Sequence, residues 1–473
     1  MSAVRITASA STREQRRAAA GLVGHGYRSG DRVAIVASSS SEYLSVVLGA
    51  LRVGIVPVLL NPALTTRELT VLLTDAEPVT TLHDADLIRL VATEHETDLA
   101  DAPLARPLLY TSGTTGAPRG VWSGVLDEHA AAAALAEERE LWGFEPDDVH
   151  LVVSPLYHSA PLRFAAGTLL AGGDVVLPGP FDVERLAATI NAVRPTSTFV
   201  VPTHLRRLLG SSDRPPLDSF RLVAHAGAPC AMPLKRAAIE AFPTGSVWEF
   251  YGSTEGQFTA CGPDEWTDRP STVGRARPGR RLHIDGLLEE PALEDATGAG
   301  ATGEQATGVI WCDVPAFARF EYWRDPVRTA AAWQGDAFSV GDLGRLDDDG
   351  YLFLDGRRDD LLITGGVNVY PLEVEHALLE HPDVRDAAVF GVPDDDWGQR
   401  VCAAVVTEVE PDALATWLRD RLAPHKRPKE IIRVDGIPVS PTGKVRRSRL
   451  GADLGFDPGP GPHPGARDGS GSG

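Results

Sequence analysis

Short runs of aliphatic residues recur along the first half of the chain, at 32–36 (RVAIV), 151–153 (LVV), 174–177 (DVVL), 198–201 (TFVV) and 221–224 (RLVA). Between them, apolar positions take a helical period over 130–141, 183–193 and 234–242. Strands alternating with helices of this length predict a parallel sheet with helices packed on it, an α/β fold. From residue 280 onward the pattern changes to turn-rich, alternating segments (RLHID, VIWCDV, YLFLDG), which predict antiparallel pairing. Past Arg357 a compact run predicts a helix over 371–380, strands over 387–392 and 401–406, and a helix over 414–422. The chain therefore divides into a large domain (1–356), a small α+β domain (357–455) and a Pro/Gly-rich tail (456–473) expected to be disordered. There is no internal repeat.

Composition narrows the class. The chain has 473 residues and a formal net charge of −20, with 43% hydrophobic residues. That is rich enough in apolar side chains for a large core and rules out a disordered or collagen-like chain. An acidic surface argues against nucleic acid as the partner, since phosphate neutralisation needs cations. The longest apolar run, 46–60, contains Arg52 and Pro57 and is too short to span a bilayer. The N-terminal arginines are followed by no signal-peptide core. Cys230, Cys261, Cys312 and Cys402 are scattered, fitting neither a zinc site nor a disulfide framework, so a cytoplasmic protein is expected. Of 45 cations only four are lysine (Lys235, Lys426, Lys429, Lys444), which makes each lysine informative.

Four segments carry candidate chemistry. Tyr110 to Gly120 (YTSGTTGAPRG) places hydroxyls and glycines after an apolar segment, where backbone N–H groups can wrap phosphate oxygens; alone, such a loop also serves as a plain turn. Phe250 to Gly256 (FYGSTEG) sets an aromatic, hydroxyls and a carboxylate within one turn, a set that can stack a base, hold a phosphate and ligate Mg²⁺. Gly341-Asp342, followed by Gly356-Arg357, offers an acceptor for ribose hydroxyls and a nearby cation, whereas Asp347 to Gly350 reads as a hairpin turn. Pro441 to Lys444 (PTGK) sets a lysine on a rigid loop within a basic run that otherwise reads as a solvated face. The GxGxxG string at Gly298–Gly303 follows no strand and reads as a loop of biased composition.

In this order, and with Pro155-Leu-Tyr-His158, Ala226-Gly-Ala-Pro229, Gly365 to Pro371 (GGVNVYP) and Gly391 to Asp394 (GVPD) between them, these segments resemble the adenylate-forming superfamily of acyl-CoA synthetases, peptide-synthetase adenylation domains and luciferases. The resemblance runs from about Gly30 to Leu450. It implies a large domain of parallel sheets with a small β-barrel-like part and a mobile C-terminal domain. The implied reaction is attack of a carboxylate on the α-phosphate of MgATP, then displacement of AMP by a thiol. The resemblance places Thr111, Ser112, Gly113, Thr114, Thr115 and Gly116, with Arg119, on the phosphates. Ala226, Gly227, Ala228 and Tyr251 fall around adenine, Gly252 and Ser253 elsewhere in the nucleotide site, Thr254 at the α-phosphate, and Asp342 and Arg357 at the ribose. Glu255 is then the Mg²⁺ ligand, Asp359 the hinge, Gly365 and Gly366 the thiol tunnel, and His158 a gate beside an acid pocket drawing on Val201, Trp248, Gln257 and Phe258. Lys444 becomes the cation that neutralises charge at the reacting phosphorus; a compact ammonium on a flexible stem suits that role.

The sequence departs from the family in three places. Arg119 stands where lysine is usual, fewer residues precede Gly30-Asp-Arg-Val33, and the stretch between Leu90 and Tyr110 is abbreviated. The expected substrates are ATP, a carboxylic acid and CoA, with Mg²⁺. The alternatives are a carrier-protein thiol or an amine as acceptor, or activation of an oxyanion such as nitrite for N–N bond formation. A non-catalytic nucleotide-binding homologue is opposed by the presence of Glu255, Asp342 and Lys444. Neither nucleic acid nor a membrane span is expected; the oligomeric state stays open, a homodimer included.

Overall fold

A computed structural model describes residues 3–111, 119–286, 307–357, 360–364, 367–394, 397–439, 445 and 447–456. The large domain is built on three sheets. One carries parallel strands Leu108–Thr111, Val56–Leu60, Arg32–Val36 and Thr80–Leu82 in that order, extended beyond Leu108–Thr111 by antiparallel Arg119–Trp122 and Glu321–Tyr322. The second carries parallel Asp174–Leu177, Val149–Val152, Ser197–Val200, Leu222–His225 and Val247–Glu249, with Val4–Ile6 antiparallel on its edge. The expected parallel α/β half is thus two sheets. Their central strands are near-continuous aliphatic runs because helices cover both faces; Val56–Leu60 is buried at all five positions.

The helices follow the predicted period closely. Val183–Val193 is capped by Asp182, whose side chain accepts from the Arg185 amide, and stops at Arg194 in a left-handed conformation. Glu128–Trp142 is capped in the same way by Asp127 and ends on Gly143, also left-handed. The third sheet is antiparallel and contains Arg281–Asp285, Gly308–Asp313, Asp342–Leu346 and Tyr351–Arg357. Asp347 to Gly350 closes the last pair as a hairpin, the Asp347 amide bonding the Tyr351 carbonyl and Gly350 at φ +81°.

The fourth sheet, in the order Val367–Val369, Leu362–Thr364, Gly398–Thr407, Val384–Asp394, with Glu430–Arg433 on Gly398–Thr407, has its own core. Pro371–Leu379 packs on it as a helix. The helix expected over 414–422 is Pro411–Trp417 followed by a 3₁₀ turn at Leu418–Asp420; the buried Leu414, Leu418 and Leu422 hold one face through the tighter winding. The GxGxxG string and the 457–473 tail lie outside the described residues. Among those described, no helix is long and apolar enough to cross a membrane.

Candidate functional site

Parallel sheets present ligand sites beyond the carboxyl ends of their strands, and Ala226 to Ala228 and Tyr251 to Glu255 among the sequence-predicted residues follow such ends. Leu222–His225 and Val247–Glu249 run side by side, with His225 opposite Glu249. The first leads directly into Ala226-Gly227-Ala228 and the second into Phe250-Tyr251. Gly227 sits at φ +89°, a conformation costly for any residue with a Cβ. Gly252 pairs with Gln257, which folds Ser253 to Gly256 into a tight tip; a Cβ at Gly252 would meet the Gln257 Cα at 2.9 Å. The motif's glycines are therefore fixed by this turn.

The turn has two working ends. At one, the Tyr251 hydroxyl donates to Asp342 Oδ2 at 2.6 Å, both residues being buried. Asp342 opens its strand and pairs in register with Arg357, so the two expected ribose residues are cross-strand neighbours. At the other end, Tyr322 donates to Glu255 Oε1 at 2.9 Å. Burial and then the Glu255 charge push the Tyr322 pKa up, so its phenol stays a donor, and the charge of Arg119 is felt at the same group. Tyr322 lies on the strand next to Arg119–Trp122, and Arg119 pairs with Thr111 across the mouth of the loop expected to hold phosphates. Thr111, Arg119, Tyr322 and Glu255 thus belong to one region. Ser112, Gly113, Thr114, Thr115, Gly116, Asp359, Gly365, Gly366 and Lys444 lie outside the described residues. Val439 and Val445, which flank Lys444 in the chain, form an antiparallel bridge.

The acid-pocket residues fall in three places. Gln257 lines a cavity together with Ser253, Thr254 and Glu255. Phe258 is fully buried in the core beneath, its ring 4.8 Å from Phe338 and 4.7 Å from Tyr251. Val201 and Trp248 pack on an aromatic cluster of Trp142, Phe164, Phe199 and Phe250. His158 is the N-cap of helix Ser159–Ala171, its ring tilted against Tyr157 at 4.6 Å, and lies one residue before the cavity-lining Ser159.

Sequence reasoning passed over Tyr322, and it passed over Lys235. Lys235 is fully buried, its Nζ 2.5 Å from His225 Nε2 and 3.4 Å from Glu249, directly under the strand ends that carry Ala226 and Tyr251. Burial and the neighbouring ammonium hold His225 neutral. The rarity of lysine was the one available signal. The four cysteines are free, and burial pushes the Cys230, Cys261 and Cys312 thiols up to about 12, so none is a nucleophile at neutral pH.

The AMP-binding enzyme family matches residues 2–108 and 105–312, and the AMP-binding enzyme C-terminal domain matches 373–444. The chain belongs to the AMP-binding enzyme family. Its relatives among these enzymes include the 2-succinylbenzoate–CoA ligase of Bacillus velezensis, 31% identical over 89% of this chain and 88% of that one. The o-succinylbenzoate CoA synthetase of Bacillus subtilis, solved with its acyl-adenylate intermediate, is 29% identical with a TM-score of 0.77, covering 93% of this chain and 91% of that one. The amide bond synthetase McbA of Marinactinospora thermotolerans is as similar, at 29% and 0.77 over 94% of each. This AMP-binding enzyme is thus an acyl-CoA synthetase-like member of the adenylate-forming superfamily.

Proposed function

We propose that the enzyme adenylates a carboxylic acid with ATP, releasing pyrophosphate, and then passes the acyl group to the thiol of CoA, releasing AMP. The observation that carries this reading is the Tyr251–Gln257 turn, which joins a nucleoside-type end at Tyr251–Asp342 to a carboxylate end at Glu255. Tyr251 and the Ala226–Ala228 backbone would flank adenine, Asp342 would accept the ribose hydroxyls, and Thr254 would hydrogen-bond the α-phosphate. Gln257 would contribute to the acid pocket.

Among the described residues no three His, Cys, Asp or Glu side chains gather to hold a metal alone. That suits Mg²⁺, which takes one or two carboxylates and completes its shell with substrate phosphates and water. Glu255, buried and held through one oxygen by Tyr322, fits as that single ligand. The metal would neutralise phosphate charge.

Lys444, on the loop between Val439 and Val445, would deliver an ammonium between the carboxylate and the α-phosphate. Moving the small domain would then withdraw Lys444 and open a thiol path past Gly365 and Gly366. Similarity to an enzyme named for amide bond synthesis supports a second reading, in which an amine takes the acyl group. AMP release measured with a panel of acids, adding CoA, an amine or neither, separates the two. CoA-dependent AMP and thioester formation supports the first; amide without thioester refutes it.

A further inference from the structure

The cavity behind the Thr254–Glu255 tip lies against helices Glu128–Trp142 and Ser159–Ala171 and the turn after strand Thr272–Ala276. Its lining is charged to an unusual degree for a space this deep. Arg106, Arg163, Arg277 and Arg280 line it with Glu137 and Glu138. Arg277 pairs with Glu137 at 2.7 Å and Glu138 at 2.8 Å, Arg280 with Glu137 at 2.9 Å, and Arg163 with Glu138 at 3.4 Å. Three arginines therefore share two carboxylates. Arg106 is the fourth; it feels Glu138 and Glu137 only through space and forms no hydrogen bond or ion pair with a described residue. Glu255, the remaining lining acid, is held by Tyr322.

Excess buried cation is expensive unless an anion answers it. Burial pushes both Arg106 and Arg163 below the ordinary guanidinium value, as expected of cations short of counter-charge. A purely structural network would be expected to close on itself. Here the Nε of Arg277 lacks a hydrogen-bond partner, and the Arg163 Nε–Glu138 Oε2 ion pair at 3.4 Å falls short of hydrogen-bond geometry. The charged cluster also reaches the Tyr251–Gln257 turn directly: Arg277 donates to Gln257, two residues past Glu255, at 3.3 Å. Away from the arginines the walls are apolar, among them Leu135, Leu162, Phe317 and Phe338. The space thus brings a guanidinium-rich region, apolar walls and the Thr254–Glu255 tip into one lining.

We infer that the acid this enzyme activates is a dicarboxylate, whose second carboxylate binds Arg106 and Arg163 while the first reacts at Thr254. The inference rests on the adenylation reading and extends it by naming the substrate class. Guanidinium forks recognise carboxylates in two-point geometry, and an acid lacking the second group would leave the half-buried Arg106 unanswered.

The test is acid-dependent ATP–pyrophosphate exchange with linear dicarboxylates of increasing length against their monomethyl esters, beside calorimetric titration of the same diacids. Wild type, Arg106→Gln and Arg106→Lys are compared. The inference expects the wild type to favour its best diacid over the ester by at least about tenfold in kcat/KM. Arg106→Gln should bring that ratio near unity and Arg106→Lys should retain part of it. Ligand-free Arg106→Gln should melt no lower than wild type, because a cation without a counter-ion has been removed. Esters used as well as diacids, a ratio unchanged in Arg106→Gln, or a large drop in its melting temperature would each overturn the inference. If no acid supports exchange, the adenylation reading fails by itself. Diacid binding that is lost in Arg106→Gln would then still sustain the anion site, and absence of diacid binding would overturn it.

Discussion

Tyr322 and Glu255, 67 positions apart in the chain, meet at 2.9 Å where the edge of the first sheet reaches the Tyr251–Gln257 turn. The contact fixes one oxygen of the carboxylate expected to hold Mg²⁺. Tyr322→Phe should therefore raise the Mg²⁺ concentration for half-maximal pyrophosphate exchange on the order of tenfold, as loss of a group that orients a metal ligand does. An unchanged Mg²⁺ dependence would remove Glu255 from the metal.

The second end of the turn makes a different prediction. Tyr251 donates to Asp342, orienting the carboxylate that would accept the ribose hydroxyls. Tyr251→Phe keeps the ring for adenine and loses the donor, so KM for ATP should rise roughly threefold to tenfold with little change in kcat. A loss confined to kcat would place Asp342 elsewhere in the cycle. Saturation kinetics at fixed acid concentration read this directly.

Parallel strands, helices, the hairpin at Asp347–Gly350 and the small α+β domain were all legible, because hydrophobic period and turn residues are local signals. The Tyr251, Glu255 and Asp342 set was legible because it sits in short motifs. Tyr322 was not; it lies in an ordinary-looking FEYW segment and acquires meaning only from a contact far along the chain. Arg277 and Arg280 stand in a Gly/Pro-rich stretch of a sequence that writes almost every cation as arginine, so nothing local singles them out. Phe258 shows the reverse error: next to Gln257 in sequence, it points into the core because adjacent residues on an extended segment face opposite ways.

His150 is buried with Nδ1 3.0 Å from Ser197 Oγ, and burial pushes its pKa down to about 3. The unfolded chain protonates this residue at an ordinary value, so it binds more protons than the native state as the pH falls. Stability is full above the unfolded value and is lost going down, by roughly 2 kcal/mol from this residue at pH 5. His204, held at about 4 by burial and Arg207, acts in the same direction. Melting temperatures from neutral pH downward should show this slope, and His150→Gln should flatten it. A slope identical in that variant would assign the acid sensitivity to other groups.

In the small domain Arg447 binds both oxygens of the buried Glu375, at 2.9 and 2.7 Å, and Asp360 at 3.0 Å. It follows the Lys444 loop by three residues and reaches the residue after Asp359. Arg447→Gln strands a buried carboxylate and should cost about 3 kcal/mol of stability. Arg447→Lys should not restore it, since one ammonium cannot hold Glu375 and Asp360 together as the separate guanidinium nitrogens do. Chemical denaturation checks both; full rescue by lysine would reduce the contact to simple charge.

The central claim is that the Tyr251–Gln257 turn assembles a site for making an acyl-adenylate. Exchange of labelled pyrophosphate into ATP isolates that step from everything downstream. The account predicts exchange that requires both an acid and Mg²⁺, proceeds without CoA, and is abolished in Lys444→Ala and Glu255→Ala variants that remain folded. Exchange that ignores the acid, or wild-type exchange rates in those variants, would contradict it.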